Sequence, residues 1–224
     1  LRNARGGVEP DVLSAALTAE ENGATSITAH LREDRRHIKD EDIYTLSKCI
    51  NTRLNLEMAM ADDIQKIALE VKPHSICLVP ERRQEVTTEG GLDVAGNFEA
   101  VRDFIKPLLD SGIVVSLFID PEPEQIEASA KTGAQFIEMH TGAYSNAYAG
   151  INEEKEFLKL KDGAKLAQKL GLKVNAGHGL NYENVHRMKE IAGLYELNIG
   201  HSIISKAVFT GLALAVKEMA ENIK

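Results

Sequence analysis

One unit occurs three times in this chain: a helical pattern ends at a glycine, an apolar run follows, and a histidine stands seven residues after the glycine. The three pairs are Gly23 and His30, Gly133 and His140, and Gly171 and His178. Glycine commonly ends a helix, and a short apolar run after it indicates a buried strand. Helices that alternate with buried strands are typical of a parallel α/β sheet.

Other strand patterns also end in ionisable side chains. They end at Glu57 after residues 54–56, at Asp120 after residues 113–119, and at His201 after the last apolar run. The strands of a parallel sheet share one direction, so these polar ends should meet at one edge. In a parallel α/β barrel, that edge carries the catalytic groups.

The complete pattern has seven strands and eight helices in strict alternation, and it begins with a helix. We predict an α/β fold, a TIM (β/α)8 barrel with extra helices, in one domain that spans residues 1–224. A complete barrel begins with a strand. We therefore expect the first strand to lie upstream of Leu1 and to be missing from this sequence, and an open sheet is the alternative.

The predicted helices are 12–22, 39–51, 62–71, 98–111, 122–132, 153–170, 182–192 and 202–224. Residues 1–8, 81–97 and 141–152 are predicted to be loops. The loop 81–97 is long, contains a pair of glycines and follows a strand, which is typical of a lid or binding loop. A surface loop without a role is the alternative.

Composition narrows the classes of function. A net charge of −8 argues against nucleic-acid binding through a broad basic surface, but it permits small phosphorylated ligands, which need only local positive charge. No apolar run approaches the roughly 20 residues that cross a bilayer. Cys49 and Cys77 lack CxxC spacing and fit reduced core residues. We expect a cytoplasmic protein without membrane or nucleic-acid partners.

Two carboxylates are candidate general bases. Glu57 ends a strand and Glu138 alternates with apolar residues, so both are expected near the barrel interior. Partial desolvation there would raise their pKa values and make them usable bases. A structural ion pair with an arginine is the alternative for each.

Two neighbouring Gly-His turns are candidate phosphate sites. His178 lies between Gly177 and Gly179, and Gly200 precedes His201; each turn follows a strand and opens a helix. Glycines let backbone amides approach an anion, and phosphate sites in barrels commonly lie at the last two strands. Arg5 and Arg32 could add bidentate contacts to phosphate oxygens. Ordinary helix-entry glycines are the alternative.

Several absences restrict the chemistry. No lysine ends a strand, so a Schiff-base aldolase is not expected. The chain has no Walker A, GxGxxG or GxSxG sequence, and we predict neither a cofactor nor a metal. A metal site from His140, His178, His201 and a carboxylate stays open as an alternative, although no HExxH-like spacing supports it.

Five stretches carry a resemblance to a known family. They are ITAHLREDRRHI at 27–38, NLEM at 55–58, EVTTEGGLD at 85–93, FIEMHTG at 136–142 and NAGHGLN at 175–181. In this order they resemble pyridoxine 5′-phosphate synthases, the deoxyxylulose-phosphate-dependent family of vitamin B6 synthesis. The resemblance spans essentially the whole chain. It implies a TIM barrel that condenses 3-amino-2-oxopropyl phosphate with 1-deoxy-D-xylulose 5-phosphate to give pyridoxine 5′-phosphate, phosphate and water.

The resemblance also implies roles for individual residues. His30 and Glu57 match proton acceptors, His178 matches a proton donor, and Glu138 matches a carboxylate that assists the transition state. The implied site for the amino-ketone phosphate contains Arg5, Gly179, Gly200 and His201. The implied site for the deoxyxylulose phosphate contains Arg32, His37 and Thr87. The family forms octamers through extra helices, for which the stretch from residue 153 and the stretch near Asn97 are candidates.

The chain departs from the family in one respect. The family's first strand carries further substrate-binding Asn, Asp and His side chains, and this sequence begins after that strand. The chemistry agrees with the residues, because a ring-closing condensation needs several acid and base groups of different pKa. A sugar-phosphate isomerase or epimerase and a non-catalytic phosphate-binding barrel are the alternatives.

Overall fold

Seven parallel strands form one sheet in the computed structural model, which describes residues 1–81 and 90–224. Their order in the sheet is their order in the chain. The strands are β1 (Ser26–His30), β2 (Arg53–Met58), β3 (Ser75–Leu78), β4 (Val114–Ile119), β5 (Phe136–His140), β6 (Lys173–Gly177) and β7 (Leu194–Asn198). Every strand runs in the same direction, so all seven carboxyl ends lie at one edge.

Helices connect and cover the strands. They are α1 (Arg2–Arg5), α2 (Val12–Glu21), α3 (Asp40–Cys49), α4 (Asp62–Val71), α5 (Phe98–Asp110), α6 (Pro123–Thr132), α7 (Gly142–Ala147), α8 (Glu153–Lys169), α9 (His201–Thr210) and α10 (Leu212–Asn222), with a 3₁₀ helix at Val185–Glu190. The covering helices bury one apolar stripe. In α5, for example, Val101, Ile105 and Leu108 lie at helical spacing and are fully buried.

Side-chain contacts between distant strands show that the sheet curls. Cys77 on β3 lies 3.6 Å from Glu138 on β5, and Glu138 lies 2.5 Å from Asn198 on β7. In a flat sheet, β3 and β7 would be roughly 19 Å apart, because neighbouring strands are about 4.8 Å apart. The curled strands therefore enclose an interior like that of a barrel. The predicted TIM-barrel-like α/β fold is confirmed.

The curled sheet does not close within the described residues, since its order runs from β1 to β7 without a ladder between those two strands. Side chains nevertheless meet across the gap. The Thr28 hydroxyl on β1 donates to Oδ1 of Asn198 at 3.0 Å, and Arg53 on β2 donates to Glu196 on β7 at 2.6 Å.

Two predicted loops contain short helices. Within residues 1–8, the buried Arg2 of α1 donates to the carbonyl of His37 at 2.9 Å and pairs with Asp42. Within residues 141–152, the hydroxyl of the fully buried Tyr144 of α7 donates to the carbonyl of Asn184 at 2.7 Å. Both helices are fixed by partners 35 and 40 positions away in sequence, which local patterns do not reveal.

Two predicted helices differ in form. The helix predicted at 182–192 is the shorter 3₁₀ helix. The helix predicted at 202–224 divides into α9 and α10 at Gly211, whose φ of +80° cannot continue an α-helix. In the part of the chain that is described, no helix combines the length and the apolarity needed to cross a bilayer.

The expectation that both cysteines are core residues is wrong for one of them. Cys77 is buried in β3, but Cys49, the last residue of α3, is exposed. The buried stripe of α3 consists of Ile43 and Leu46, and Cys49 lies off that stripe. Both thiols are free.

Candidate active site

The carboxyl edge of the sheet brings together the side chains that the sequence predicted there. His30 is the last residue of β1 and pairs in register with Glu57 on β2. Glu138 lies inside β5, and His178 directly follows β6. Because the sheet curls, the groups from β1, β2 and β5 face a common interior, and His178 packs against the rings of His140 and Phe118.

His30 lies between two carboxylates. Its Nε2 is 2.8 Å from Oε1 of Glu81, and its Nδ1 is 3.8 Å from Oε2 of Glu57. Burial raises the pKa of Glu81, but hydrogen bonds from His30 and from the backbone N–H of Glu33 outweigh it, so the net pKa is lowered. An ionised carboxylate only accepts, so Nε2 of His30 carries a proton. In the neutral ring, Nδ1 is then an acceptor on the side of Glu57.

Two carboxyl groups, those of Glu57 and Glu138, lie in the interior, and the charge of Glu57 acts on Glu138. Although 22% of the Glu57 side-chain surface is exposed, its carboxylate is enclosed by protein, and this burial raises its pKa against the opposing effect of His30. Burial and the charge of Glu57 raise the pKa of Glu138 to about 8. At neutral pH, Glu138 is therefore largely protonated and able to donate a proton.

The carboxyl group of Glu138 is held by two side chains from other strands. Asn198 donates from Nδ2 to Oε2 of Glu138 at 2.5 Å, and the Cys77 thiol lies 3.6 Å from the same oxygen. Burial raises the pKa of the Cys77 thiol well above its usual value, so the thiol stays protonated. Glu138 is only 2% exposed and has no arginine partner among the described hydrogen bonds and ion pairs, contrary to the ion-pair alternative.

His178 occupies a strained turn. Its φ is +78°, a left-handed conformation that costs a non-glycine residue free energy and persists only where neighbours hold it. The buried Thr141 hydroxyl lies 2.8 Å from the carbonyl oxygen of Gly177 and 2.6 Å from that of His178. Burial, His140 and His201 lower the pKa of His178.

The two Gly-His turns have different surroundings. At Gly179, with φ of +82°, an added Cβ would lie 2.8 Å from the Cβ of Ser145, so a side chain there would be excluded both by conformation and by space. Gly200 is open, with no atom within 4 Å of an added Cβ, and it caps α9. His201, the first residue of α9, is exposed.

Basic side chains lie near His30, in the segment that follows β1. The buried Arg32 has a terminal nitrogen 4.0 Å from Oε2 of Glu81 and its Nε 3.8 Å from Asp34. Burial lowers the pKa of His37, and the charges of Arg36 and Arg32 lower it further. Arg32 and His37 thus lie within electrostatic range of each other, as a shared anion site requires.

The residues described do not bring together any three His, Cys, Asp or Glu side chains in a geometry that could hold a metal ion. The alternative of a metal site built on His140, His178 and His201 therefore has no geometric support in residues 1–81 and 90–224.

All 224 residues match the family model described as pyridoxal phosphate biosynthesis protein PdxJ. The chain belongs to the PdxJ family. Its relatives include the pyridoxine 5′-phosphate synthases of Geotalea uraniireducens and Geobacter sulfurreducens, which are 54% and 55% identical over 224 residues. Each alignment covers the whole of this chain and 94% of the relative.

Solved structures outside the PdxJ family share the fold. A 4-hydroxy-2-oxoglutarate aldolase from TTHB1 superposes with a TM-score of 0.65 at 14% identity, over 96% of this chain and 88% of the other. A phosphoribosylanthranilate isomerase from Thermotoga maritima gives 0.61 at 16% identity, over 94% and 93%. At such low identity, the likeness concerns the fold alone.

Two residues that the family resemblance predicts for the site have no described contact with the other predicted site residues. Arg5 is exposed on α1, and its side chain takes part in no described hydrogen bond or ion pair. Thr87 lies outside the described residues, as do residues 82–89 of the loop interpreted as a lid.

Several polar groups of this PdxJ site are not apparent from the sequence. Glu81 contacts His30, and Asn198 contacts Glu138, yet neither is among the predicted site residues. Asn198 ends β7, so its place at a strand end was a usable signal. Asp120 and His140 also end strand patterns, but no spacing or motif pairs them; the structure places Oδ1 of Asp120 2.9 Å from Nδ1 of His140.

Proposed function

We propose that this chain condenses 3-amino-2-oxopropyl phosphate with 1-deoxy-D-xylulose 5-phosphate to give pyridoxine 5′-phosphate, phosphate and water. Membership of the PdxJ family and the names of relatives at 54–55% identity support this reaction. The single observation of geometry that supports it best is the interior group of His30, Glu57 and Glu138. Ring closure with loss of water needs several proton transfers, and the raised pKa values of Glu57 and Glu138 suit these two carboxyl groups to such transfers.

The proposed roles follow the surroundings of each group. His30 accepts a proton at Nδ1, because Glu81 keeps the proton on Nε2. Glu57, enclosed and with a raised pKa, is the second proton acceptor. Glu138, protonated at neutral pH, donates a hydrogen bond to oxygen atoms that gain charge in the transition state. The lowered pKa of His178 makes its protonated form a stronger acid, in keeping with a proton donor.

Two anion sites are proposed for the two phosphates. Arg32, His37 and Thr87 would contact the deoxyxylulose phosphate; the buried position of Arg32 supports a charged, directional contact. Arg5, Gly179, Gly200 and His201 would contact the amino-ketone phosphate. The left-handed Gly179 and the start of α9 supply backbone N–H groups on that side.

The experiment that tests the reaction supplies both substrates, then each alone. Pyridoxine 5′-phosphate and one phosphate should appear only with both. Isomerisation or epimerisation of a sugar phosphate alone would favour the isomerase alternative. Binding of both phosphorylated substrates without turnover would favour a non-catalytic phosphate-binding barrel.

Glu57→Gln tests the acid/base assignment. We expect turnover to fall by about 10²-fold or more with little change in melting temperature, because the amide cannot take up a proton. Glu127→Gln, at an exposed position on α6, is the matched control and should keep full activity. A Glu57→Gln protein that melts early but retains its turnover would instead assign Glu57 to structure.

The protein is further proposed to act as a single domain in the cytoplasm, without metal or cofactor, and to assemble as a homo-octamer. The free thiols of Cys49 and Cys77 support a reducing compartment. Exposed apolar side chains on α9 support assembly.

A further inference from the structure

Three neighbouring strands place a row of side chains beside His178. Asp120 directly follows β4, His140 is the last residue of β5, and His178 directly follows β6. These strands are adjacent in the sheet, so the three side chains lie in sequence along its carboxyl edge. Neither Asp120 nor His140 has a role among the groups assigned above.

Asp120 fixes the tautomer of His140. Oδ1 of Asp120 is 2.9 Å from Nδ1 of His140, and Oδ2 accepts the backbone N–H of Gly91 at 3.1 Å. The hydrogen bond from His140 lowers the pKa of Asp120, with burial opposing and the Gly91 N–H assisting, so the carboxylate is ionised at neutral pH. Since it only accepts, Nδ1 of His140 carries the proton.

The ring of His140 is also confined by packing. Its centroid is 5.2 Å from the Phe118 ring and 5.2 Å from the His178 ring, which it meets at 67°. An added Cβ on Gly142 would lie 2.4 Å from Nε2 of His140, so only glycine leaves room for the imidazole. His140 is 9% exposed and has one packed orientation.

The imidazole of His178 packs against these rings. Among residues 1–81 and 90–224, no side chain forms a hydrogen bond to the imidazole of His178; it packs edge-on against His140 and at 6.4 Å from Phe118. The titratable groups that face it are His140 and His201. Thr141 holds the backbone of the turn but not the ring.

We propose that Asp120 and His140 are positioning residues for His178: Asp120 locks the ring of His140, and that ring holds the imidazole of His178 in the orientation from which it gives its proton to the substrate. The inference rests on the proton-donor role proposed for His178. Small misplacements of a catalytic group cost large factors in rate, because the reacting atoms must be held in line. Asp120 thereby acts on turnover without touching the substrate.

The test measures kcat and KM for both substrates in His140→Ala and Asp120→Asn. We expect kcat to fall by about 10²-fold while both KM values change less than about twofold. His140→Phe, which restores a ring without the hydrogen bond, should recover part of the loss. Exposed residues of the same two types serve as matched controls: His186→Ala and Asp110→Asn should have wild-type kcat.

A double-mutant cycle with His178→Asn separates the two claims. If His140 acts through His178, His140→Ala should cost little more in a His178→Asn background. Wild-type turnover in His178→Asn alone would overturn the role of His178 and the inference with it. If His178→Asn lowers turnover and His140→Ala causes a further, additive loss in that background, the inference about His140 is overturned but the role of His178 is not.

A measurement that does not depend on activity covers variants that fold poorly. In ¹⁵N-histidine NMR spectra of the free protein, His140 should be protonated at Nδ1, and Asp120→Asn should abolish this preference and shift the His178 resonances. Unchanged His140 and His178 signals in Asp120→Asn would show that Asp120 does not act through these rings.

Discussion

At the scale of single residues, Glu138 determines how the interior responds to pH. Its ordinary pKa is 4.5, and burial together with Glu57 raises it to about 8 in the folded chain. Between these values, the folded chain keeps a proton that the unfolded chain releases. Stability must therefore fall as pH rises through this window, by up to about 1.4 kcal/mol per pH unit for one proton.

Glu138→Gln should remove this part of the pH dependence, because the amide is neutral at every pH. Urea unfolding at pH 5, 6, 7 and 8 measures the effect as a smaller decline in unfolding free energy than in the wild type. The decline that remains includes the contribution of Glu57, whose pKa is also raised. Glu127→Gln should show the wild-type slope. An unaltered slope in Glu138→Gln would mean that Glu138 is ionised throughout.

At the scale of elements, the segment after residue 90 is fastened to the end of β4. The Leu92 N–H donates to the carbonyl of Phe118 at 2.7 Å, and the Gly91 N–H donates to Asp120 at 3.1 Å. The approach is so close that an added Cβ on Gly91 would lie 2.2 Å from the backbone nitrogen of Asp120. Glycine is required here by contact with the backbone.

Gly91→Ala should displace the segment from β4. We expect a loss of about 1–3 kcal/mol in unfolding free energy, as for other overpacked sites, and a lower kcat because Asp120 shifts. Gly90→Ala is the matched control, since its added Cβ meets only an Asp120 carboxylate oxygen at 3.7 Å. Chemical denaturation and steady-state kinetics on both variants decide the matter. Equal stability of the two variants would contradict the close packing.

At the scale of the whole molecule, α9 leaves apolar surface uncovered. Val208 is 72% exposed and Phe209 is 90% exposed, and no residue of α9 is buried. Contiguous exposed apolar side chains commonly mark a surface that another protein chain covers. This face is therefore a candidate contact in the proposed octamer.

Light scattering after size-exclusion chromatography should give eight times the chain mass of 24.5 kDa. Phe209→Ser should shift the protein toward smaller assemblies, because the apolar contact area is lost. Thr210→Ala, at the adjacent exposed position, should keep the wild-type mass. A monomeric wild-type protein would exclude the octamer, and a full-sized Phe209→Ser assembly would place the contact elsewhere.

The sequence by itself determined the strand order and the side chains at the carboxyl edge. Apolar runs between helical patterns predicted all seven strands, and their shared direction predicted that the polar strand ends, His30 and Glu57 among them, lie at one edge. These features could be predicted because the hydrophobic period of a segment and the direction of a strand are local properties of the chain. The motifs were also sufficient to identify the family, and the match over residues 1–224 confirmed it.

Tertiary structure alone decided which polar groups pair. Cys77 and Asn198 hold Glu138 across the curled interior, Asp120 holds His140, and Glu81 holds His30. It also decided that residues 142–147 form a helix around a buried tyrosine. Such contacts join residues 20 to 61 positions apart, and their partners depend on how tightly the sheet curls. Curvature arises from the packing of all strands and helices together, so no local pattern encodes it.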